Sequence, residues 1–260
     1  MTVLLVDTHA HLDVAEFHAD RDAVIARSEA EVGHIITVGT DLASSRKAIE
    51  LSERYQNISA AVGIHPHEVS NVKPADIAAL KELARHKQVI AIGETGLDYY
   101  RDYSPRNAQL EVLEWQIALA KDLGLPVIIH CRQAESDMLD LLHKGRRQYR
   151  GVIHCFSSDA RTAREYLDLG FYLSLGGYIG YSSSRGSYDI IRNIPEDHLL
   201  VETDCPFLPP QSYRGKRNEP SYLPLTVKAL AAIRGLQFED IAAATTRNAR
   251  ELFKIPAKED

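Results

Sequence analysis

Cysteine, tryptophan and long apolar runs are scarce in this chain of 260 residues. The three cysteines are an odd number without CxxC spacing, which argues against a disulfide framework or a zinc ribbon. No apolar stretch approaches the length needed to cross a membrane. The first residues, MTVLLVDTHAH, lack the basic segment and the cleavage site of a signal peptide. We therefore predict a cytoplasmic protein that does not enter membranes.

Positive charge is also in deficit, since the formal net charge at neutral pH is −6. An acidic chain does not attract nucleic acid through its overall field, so local groups must hold any phosphate substrate. The remaining composition, 45% hydrophobic and 25% charged, is that of an ordinary globular protein. No linker or low-complexity segment divides the chain. We predict one domain over residues 1–260, and a monomer.

Eight short apolar segments alternate with stretches of helical periodicity. The segments are VLLVDTH, HIITVGT, ISAAVGIH, VIAIGE, PVIIH, GVIH, FYLSLGG and LLVETD. In the clearest helix, SPRNAQLEVLEWQIALAKDLG, Ser104 is the predicted N-cap, Pro105 the first helical residue and Gly124 the stop. The alternation predicts an α/β fold, a (β/α)₈ TIM barrel with a C-terminal helical extension at roughly residues 236–253. The alternative, a doubly wound open sheet, would normally carry a glycine-rich loop after its first strand, where this chain has HAH.

Residue types that bind metals end six of the eight segments: the third ends in His65, and the other five supply the candidate ligands. Active sites of parallel barrels form at the C-terminal ends of the strands, so these side chains are expected to converge. The candidate ligands are His9, His11, Glu94, His130, His154 and Asp204. Residues two apart on a strand share a face, so His9 and His11 point the same way. A single histidine at a strand end is most often structural, and the prediction therefore rests on the convergence.

The candidate ligands offer nitrogen and oxygen but no sulfur, a set that suits zinc, manganese or cobalt and tolerates magnesium. Six ligands exceed the needs of one tetrahedral ion, so we predict two divalent ions bridged by Glu94. Such a pair can activate a water and clamp a phosphoryl centre, which predicts a hydrolase. Cys131, Cys155 and Cys205 each follow a candidate ligand directly, so strand alternation predicts that they face the helix layer. Thiolate ligation by one of them is the alternative.

Six motifs in order carry a family resemblance. DTHAHLD, GIHPH, GETGLDYY, IIHCR, HCFS and ETDCPFLPP followed by RGKRNEP resemble the TatD-type metal-dependent deoxyribonucleases, within the amidohydrolase-like barrel group. The resemblance covers almost the whole chain and implies a metal-containing (β/α)₈ barrel that hydrolyses DNA, typically from the 3′ ends of single strands. The ligands it implies are the same six residues, with Glu94 as the bridge. Ser158 and Cys205 stand where glycine and alanine are frequent in the family, and neither is a proposed ligand.

Asp204 and Glu94 are the predicted catalytic residues. A carboxylate on the last strand can ligate one metal and orient the attacking water, which makes Asp204 the candidate general base. The alternative role for Asp204 is a helix N-cap, but DCPFLPP does not resemble a helix start. Asp7 and Glu202 precede ligands by two residues, and we predict that they hydrogen-bond ligating imidazoles.

Substrate contacts are expected just beyond the strand ends. The candidates are His65, Arg132, Arg214, Lys216 and Arg217. For His65 a phosphate contact is favoured over metal ligation, and for the basic residues the alternatives are solvation or pairing with loop carboxylates. Aromatic side chains beyond the strands can stack unpaired bases or merely pack the loops; they are Tyr99, Tyr100, Phe156, Tyr178 and Phe207.

The predicted function is divalent-metal-dependent cleavage of DNA phosphodiesters, as a 3′–5′ exonuclease on single-stranded or frayed ends. Two alternatives are a hydrolase of another ester or amide, such as a lactone, a cyclic amide or a D-aminoacyl-tRNA, and a non-catalytic barrel that binds a partner. The basic rim favours a phosphate-rich substrate, and the complete ligand set argues against a non-catalytic barrel. The chain has no basic helix or zinc finger for reading duplex sequence.

Overall fold

Eight parallel strands form one sheet in the computed structural model, which describes residues 3–145 and 148–256. Neighbours in sequence are neighbours in the sheet, and every pair is parallel. The strands are β1 (Leu5–Ala10), β2 (Val32–Val38), β3 (Ile58–Val62), β4 (Val89–Asp98), β5 (Val127–Arg132), β6 (Gly151–Ile153), β7 (Tyr172–Leu175) and β8 (Leu199–Val201).

Helices occupy the connections between the strands and follow the last strand. They are α1 (Arg21–Ser28), α2 (Leu42–Arg54), α3 (Pro74–Ala84), α4 (Arg106–Leu123), α5 (Glu135–Lys144), α6 (Ala160–Asp168), α7 (Tyr188–Asn193), α8 (Leu223–Arg234) and α9 (Phe238–Phe253). Within the described ranges, none of these helices is long and apolar enough to cross a membrane.

The segment after β8 closes the barrel against β1. Ala10 forms a parallel bridge with Cys205. The amide of Asp204 donates to the carbonyl of His9 at 2.8 Å, and the amide of His11 donates to the carbonyl of Cys205 at 2.8 Å. The predicted (β/α)₈ barrel is thus confirmed, and its closure holds Asp204 beside His9 of β1 and His11, which follows β1.

The predicted C-terminal extension is α9, which packs against one end of the barrel. Its Ala249, Leu252 and Phe253 belong to a buried apolar cluster with residues from most of the strands, including Val6, Ile36, Ala61, Ala91, Ile128, Val152 and Leu200. These strand residues precede the candidate ligands in sequence. Apolar packing therefore fills the barrel below the polar C-terminal ends of the strands.

The start of α4 differs from the prediction. The helix begins at Arg106 with Pro105 as its N-cap, and Ser104 does not cap it. The hydroxyl of Ser104 instead donates to the carbonyl of His67 at 2.8 Å, across to the loop after β3. The hydroxyl that local propensity predicts as the N-cap of α4 is therefore used in a tertiary contact. The stop at Gly124 is confirmed, because this residue has the left-handed φ of 68°.

Gly96 lets β4 and β5 approach closely where both carry site residues. Its φ of 149° is unfavourable for other residues, and a Cβ there would lie 1.8 Å from the carbonyl oxygen of His130. We expect Gly96→Ala to lower the free energy of unfolding by at least about 3 kcal/mol, measured by chemical denaturation.

The matched control for this substitution is Gly186→Ala. A Cβ at Gly186 would meet nothing within 4 Å, and that glycine has no positive φ. We expect a change in stability within about 0.5 kcal/mol for the control. Equal effects of the two substitutions on stability would show that the close approach of β4 and β5 at Gly96 does not exclude a side chain there.

Candidate metal centre

The structure brings the six candidate ligands together at the C-terminal mouth of the barrel. Five of them are buried: His9 is 0% exposed, His11 and His154 are 5%, Glu94 is 3% and Asp204 is 8%. His130 is partly exposed at the rim of the cluster. Burial of so many imidazoles and carboxylates in one place is costly unless they are paired or bind a cation.

Glu94 lies at the middle of this cluster. Its Oε2 is 3.4 Å from His9 Nε2 and 3.6 Å from His11 Nε2. Its Oε1 is 3.1 Å from His130 Nδ1 and 2.9 Å from His154 Nε2. The two oxygens of one carboxylate therefore face two separate pairs of imidazoles, which is the arrangement expected of a bridging ligand.

Asp204 completes the group on the β1 side. Its Oδ1 lies 3.8 Å from His9 Nε2 and 3.6 Å from His11 Nε2. Atoms of these three residues lie within 4.8 Å of one another, and the same is true of His65, Glu94 and His130 on the other side. Asp204 has a left-handed backbone, with φ 55°, a conformation uncommon for residues other than glycine. Such conformations concentrate at functional sites, where the surrounding structure enforces them.

The spacing of the imidazole nitrogens fits metal ions. His9 Nε2 lies 3.1 Å from His11 Nε2, and His130 Nδ1 lies 3.2 Å from His154 Nε2. Two nitrogen ligands about 2.0–2.1 Å from a tetrahedral ion are about 3.3 Å apart. Each pair also shares one oxygen of Glu94. The residues present therefore suit divalent ions with mixed nitrogen and oxygen ligands.

The protonation of the cluster follows from its mutual charges. Burial opposes ionisation of Glu94, but the surrounding histidines, His65 and His154 foremost, hold the pKa of its carboxyl well below the usual range. Burial likewise opposes the charge of His11, but its contacts with Asp204 and Glu94 raise its pKa to about 9. Binding of divalent ions would displace these protons and take over their role in neutralising the carboxylates.

The ring nitrogen of His65 that faces the cluster, Nε2, carries a proton and not a lone pair. Its Nδ1 accepts a hydrogen bond from the amide of His67 at 3.1 Å. Burial lowers its pKa to about 4, so the ring is neutral at neutral pH and its one proton must lie on Nε2. That Nε2 is 3.3 Å from Glu94 Oε1. The geometry supports His65 as a hydrogen-bond donor more than as a metal ligand.

The sequence comparison places this centre in a known family. Residues 6–254 match the model of the TatD related DNase family. The chain belongs to the TatD-related DNase family. It is therefore a metal-dependent hydrolase of the TatD type, as its motifs predicted.

Individual TatD relatives match over nearly their full length. The uncharacterized metal-dependent hydrolase YabD of Bacillus subtilis is 44% identical, over 97% of this chain and 100% of the relative. The 3′-5′ ssDNA/RNA exonuclease TatD of Klebsiella pneumoniae is 36% identical, over 96% of this chain and 98% of that protein. The crystal structure of YJJV, a TatD homolog from Escherichia coli, superposes with a TM-score of 0.92 at 31% identity, covering 98% of this chain and 100% of that one.

Asp98 also contacts the histidines of this TatD site, although the sequence analysis does not predict it. Its Oδ2 accepts from His130 Nε2 at 3.1 Å and lies 3.0 Å from His67 Nε2. Its Oδ1 accepts from two backbone amides at 2.9 Å. A proton held on His130 Nε2 leaves the lone pair of Nδ1 facing Glu94, as a ligand requires. Asp98 lies four residues beyond Glu94 on β4, and this even spacing in GETGLDYY was the available signal.

We expect Asp98→Asn to weaken metal binding about 10- to 100-fold. The amide nitrogen of asparagine would face His130 Nε2, which favours the tautomer that places the proton on Nδ1. Competition with a chromogenic chelator measures the affinity. Asp102→Asn is the matched control in the same loop, because Asp102 is exposed and lies 4.0 Å from Arg106. Equal affinities of the two variants would contradict the orienting role.

The two carboxylates predicted to support imidazoles differ in outcome. Glu202 accepts from the amide of Cys155 at 2.6 Å and lies 3.4 Å from His154 Nδ1 without hydrogen-bond geometry, so its support of an imidazole stays a prediction. The prediction for Asp7 is wrong, because its carboxylate accepts from the amide and the hydroxyl of Thr203, at 2.9 and 2.6 Å. An irregularity in the β1–β2 register between Asp7 and Ala10 interrupts the alternation on which the prediction depended. Asp7 thus ties β1 to the segment that carries Asp204.

Two of the three cysteines behave as predicted. Cys131 Sγ accepts from the hydroxyl of Tyr166 in α6, and Cys205 is buried in the main apolar cluster. Cys155 does not follow strand alternation, because β6 ends at Ile153 and Cys155 has a left-handed φ of 49°. Burial and the charges of nearby Asp204, Glu202 and Glu94 raise the pKa of its thiol well above the usual value. Its predicted place in the helix layer therefore stays a prediction.

The basic candidates at the rim fall into two groups. The guanidinium of Arg132 lies 3.9 Å from the ring centre of Tyr100, that of Arg214 lies 4.6 Å from that of Tyr181, and Lys216 Nζ lies 5.6 Å from that of Tyr213. Among the described residues, no carboxylate pairs with these three cations. Arg217 instead makes a two-point ion pair with Asp20, at 2.8 and 2.7 Å. That pair argues against a phosphate contact by Arg217.

The aromatic candidates also fall into two groups, those that pack against other residues and those that are exposed. Tyr99 donates to Asp137 at 2.6 Å, and Phe156 is buried and accepts at its carbonyl from the hydroxyl of Tyr178. These three side chains pack the loops. Tyr100 and Phe207 are each 51% exposed and remain available to a ligand.

Proposed function

We propose that this TatD protein is a two-metal phosphodiesterase that removes nucleotides from the 3′ ends of single-stranded or frayed DNA. The observation that carries the proposal is the position of Glu94, whose two oxygens face separate pairs of imidazoles. A single ion would use one of these pairs and leave the other without a cation. The name of the Klebsiella pneumoniae relative, 3′-5′ ssDNA/RNA exonuclease, points to the same class of substrate.

Divalent ions bound here would supply activation of a water and neutralisation of phosphoryl charge. The chain supplies the groups that hold the substrate and move the proton. Burial opposes ionisation of Asp204, but His11, His154 and His9 keep its pKa below the usual value, so its carboxylate is ionised at neutral pH. An ionised carboxylate at this point can orient a water and accept its proton.

The depth of the site supports a preference for unpaired strands. Asp204 and Glu94 are 8% and 3% exposed, so the scissile phosphodiester must enter the mouth of the barrel to reach them. The backbone of a free 3′ end can follow this path alone. A duplex would have to carry its partner strand into the same opening, and it must therefore fray first.

Phosphate contacts are available on both sides of the cluster. His65 presents its Nε2 proton on the β3 side. Arg132 is the last residue of β5 and Arg214 lies in the loop after β8, and each guanidinium lies over a tyrosine ring and is exposed. Charged donors near the reacting centre balance the phosphate charge that the acidic chain as a whole cannot attract.

The test is a cleavage assay on protein stripped of metal and reloaded with zinc, manganese, cobalt or magnesium. End-labelled single-stranded DNA, RNA, a lactone panel and D-aminoacyl-tRNA would be offered with and without chelator. We expect stepwise shortening of single-stranded DNA from its 3′ end, two ions per chain, and loss of activity with chelator. Hydrolysis of the lactones or the aminoacyl ester without DNA cleavage would overturn the proposal.

A further inference from the structure

Exposed aromatic side chains occur only at the barrel mouth among the described residues. The large apolar side chains that are more than about a third exposed are Val3, Tyr100, Tyr103, Phe207 and Leu236. Three of these five are aromatic. Tyr100 and Tyr103 lie in the loop after β4, and Phe207 lies in the loop after β8. The other aromatic side chains of the described residues are less exposed, which makes these three rings candidates for contact with a ligand.

Two of the rings each adjoin one half of the metal centre. The ring centre of Phe207 is 6.0 Å from that of His11, on the side of Asp204. The ring centre of Tyr103 is 4.8 Å from that of His67. His67 in turn lies 4.3 Å from the ring of His65, on the side of His130. Phe207 thus lies on the Asp204 side of the cluster, and Tyr103 lies beyond His67 on the His65 side.

The loops that carry these rings are held by other groups. The amide of Phe207 donates to the carbonyl of Asp204 at 2.9 Å, and its carbonyl accepts from Asn218 Nδ2 at 2.7 Å. The loop of Tyr103 is held by the hydroxyl of Ser104, which donates to the carbonyl of His67. The rings are therefore not required to shape the loops. The side chain of Phe207 has no polar tip, so hydration gives no reason for its 51% exposure.

We propose that Phe207 and Tyr103 are stacking surfaces for the two unpaired nucleobases that flank the scissile phosphate. This inference rests on the proposed phosphodiesterase function and adds the elements that would recognise the bases. Every base offers a flat face, so stacking holds a single strand without regard to its sequence. Bases in a duplex stack on one another and are not available. The two rings would therefore contribute to selection of unpaired strands.

The Arg132–Tyr100 pair extends the surface on the Tyr103 side. The guanidinium of Arg132 stacks on the ring of Tyr100 and has no carboxylate partner within the described part of the chain. A guanidinium held flat on a ring can bind the phosphate that follows the stacked base. This arrangement would guide the strand outward from the cluster on the β4–β5 side.

The test combines protein variants with altered substrates. The metal-loaded enzyme would cleave a single-stranded oligonucleotide with normal bases, and the same oligonucleotide with an abasic residue at the last or the penultimate position. We expect Phe207→Ala and Tyr103→Ala each to raise KM about 5- to 100-fold on the normal strand with little change in kcat. Phe207→Trp and Tyr103→Phe should restore KM.

The decisive comparison is the coupling between protein and substrate. On the strand that lacks the matching base, each alanine variant should have the same KM as wild type, because the stacking partner is already gone. Leu236→Ala is the matched control, an exposed apolar side chain between α8 and α9 that should leave KM unchanged. Melting temperatures equal to that of wild type would show that the variants are folded.

Failure of this inference differs from failure of the proposed function. If wild type cleaves the normal strand but the alanine variants lose the same factor on normal and abasic strands, or lose nothing, the stacking role is wrong and the phosphodiesterase stands. If metal-loaded wild type cleaves no oligonucleotide, the proposed function fails and the stacking role fails with it.

Discussion

Asp204→Asn is expected to lower kcat by about 10²- to 10⁴-fold while the protein remains folded. The substitution removes the charge and the basicity of the side chain but keeps its size. Asparagine also tolerates the left-handed backbone of this position, where φ is 55°, better than most residues. The barrel closure between the Asp204 amide and the His9 carbonyl uses backbone atoms and is retained. Loss of activity would therefore report on chemistry and not on folding.

The measurement is the rate of single-strand cleavage at saturating metal, together with the metal content of each protein. Asp197→Asn is the control, because Asp197 is an exposed aspartate just before β8 whose partner is the neighbouring His198. The control should cleave at the wild-type rate. If Asp204→Asn were as fast as wild type at saturating metal, Asp204 would not be the base, or the activity would belong to a contaminant.

Glu94→Gln is expected to reduce bound metal from two ions to at most one and to lower cleavage by about 10³-fold or more. Its two carboxylate oxygens face different pairs of imidazoles, and an amide has only one oxygen to offer. The amide also leaves the neighbouring histidines without their shared negative charge. Elemental analysis of the purified variant gives the number of ions, and the cleavage assay gives the rate.

The control for Glu94→Gln is the same substitution in a Glu–His pair on the surface. Glu53 lies 2.9 Å from His86 Nε2, and both side chains are partly exposed. Glu53→Gln changes one Glu–His contact without touching the barrel mouth, so metal content and activity should match wild type. Two ions and full activity in Glu94→Gln would show that other ligands suffice and that Glu94 is not the bridge.

The convergence of the site could be predicted because it depends on two regular features. Apolar runs mark where the strands end, and a parallel barrel brings the C-terminal ends of all strands to one edge. Neither feature requires knowledge of a particular contact. For this reason the histidines at the end of β1 and Asp204 after β8 could be assigned to one site, although they are nearly 200 positions apart in sequence.

The predictions that failed each depended on regularity where the chain is irregular. Asp7 lies at a break in the β1–β2 register. Ser104 gives its hydroxyl to another loop and not to the helix that follows it. Asp98 was missed because β4 continues four residues past the apolar run that marked the strand. Propensity and periodicity describe regular elements and carry no information on contacts between loops.

By itself, the sequence determined the barrel, the helix α9 that packs against one end of it and the six candidate ligands at its mouth, because apolar periodicity and strand ends are local properties. Only the tertiary structure decided which atoms of those residues contact one another and therefore which role each residue can have. Distances between atoms from distant segments determine which imidazoles each oxygen of Glu94 contacts and the ion pair of Arg217 with Asp20. The contact with the amide of His67 likewise determines which nitrogen of His65 carries the proton. Hydrogen bonds and ion pairs act within a few ångströms, and only the folded barrel sets those separations.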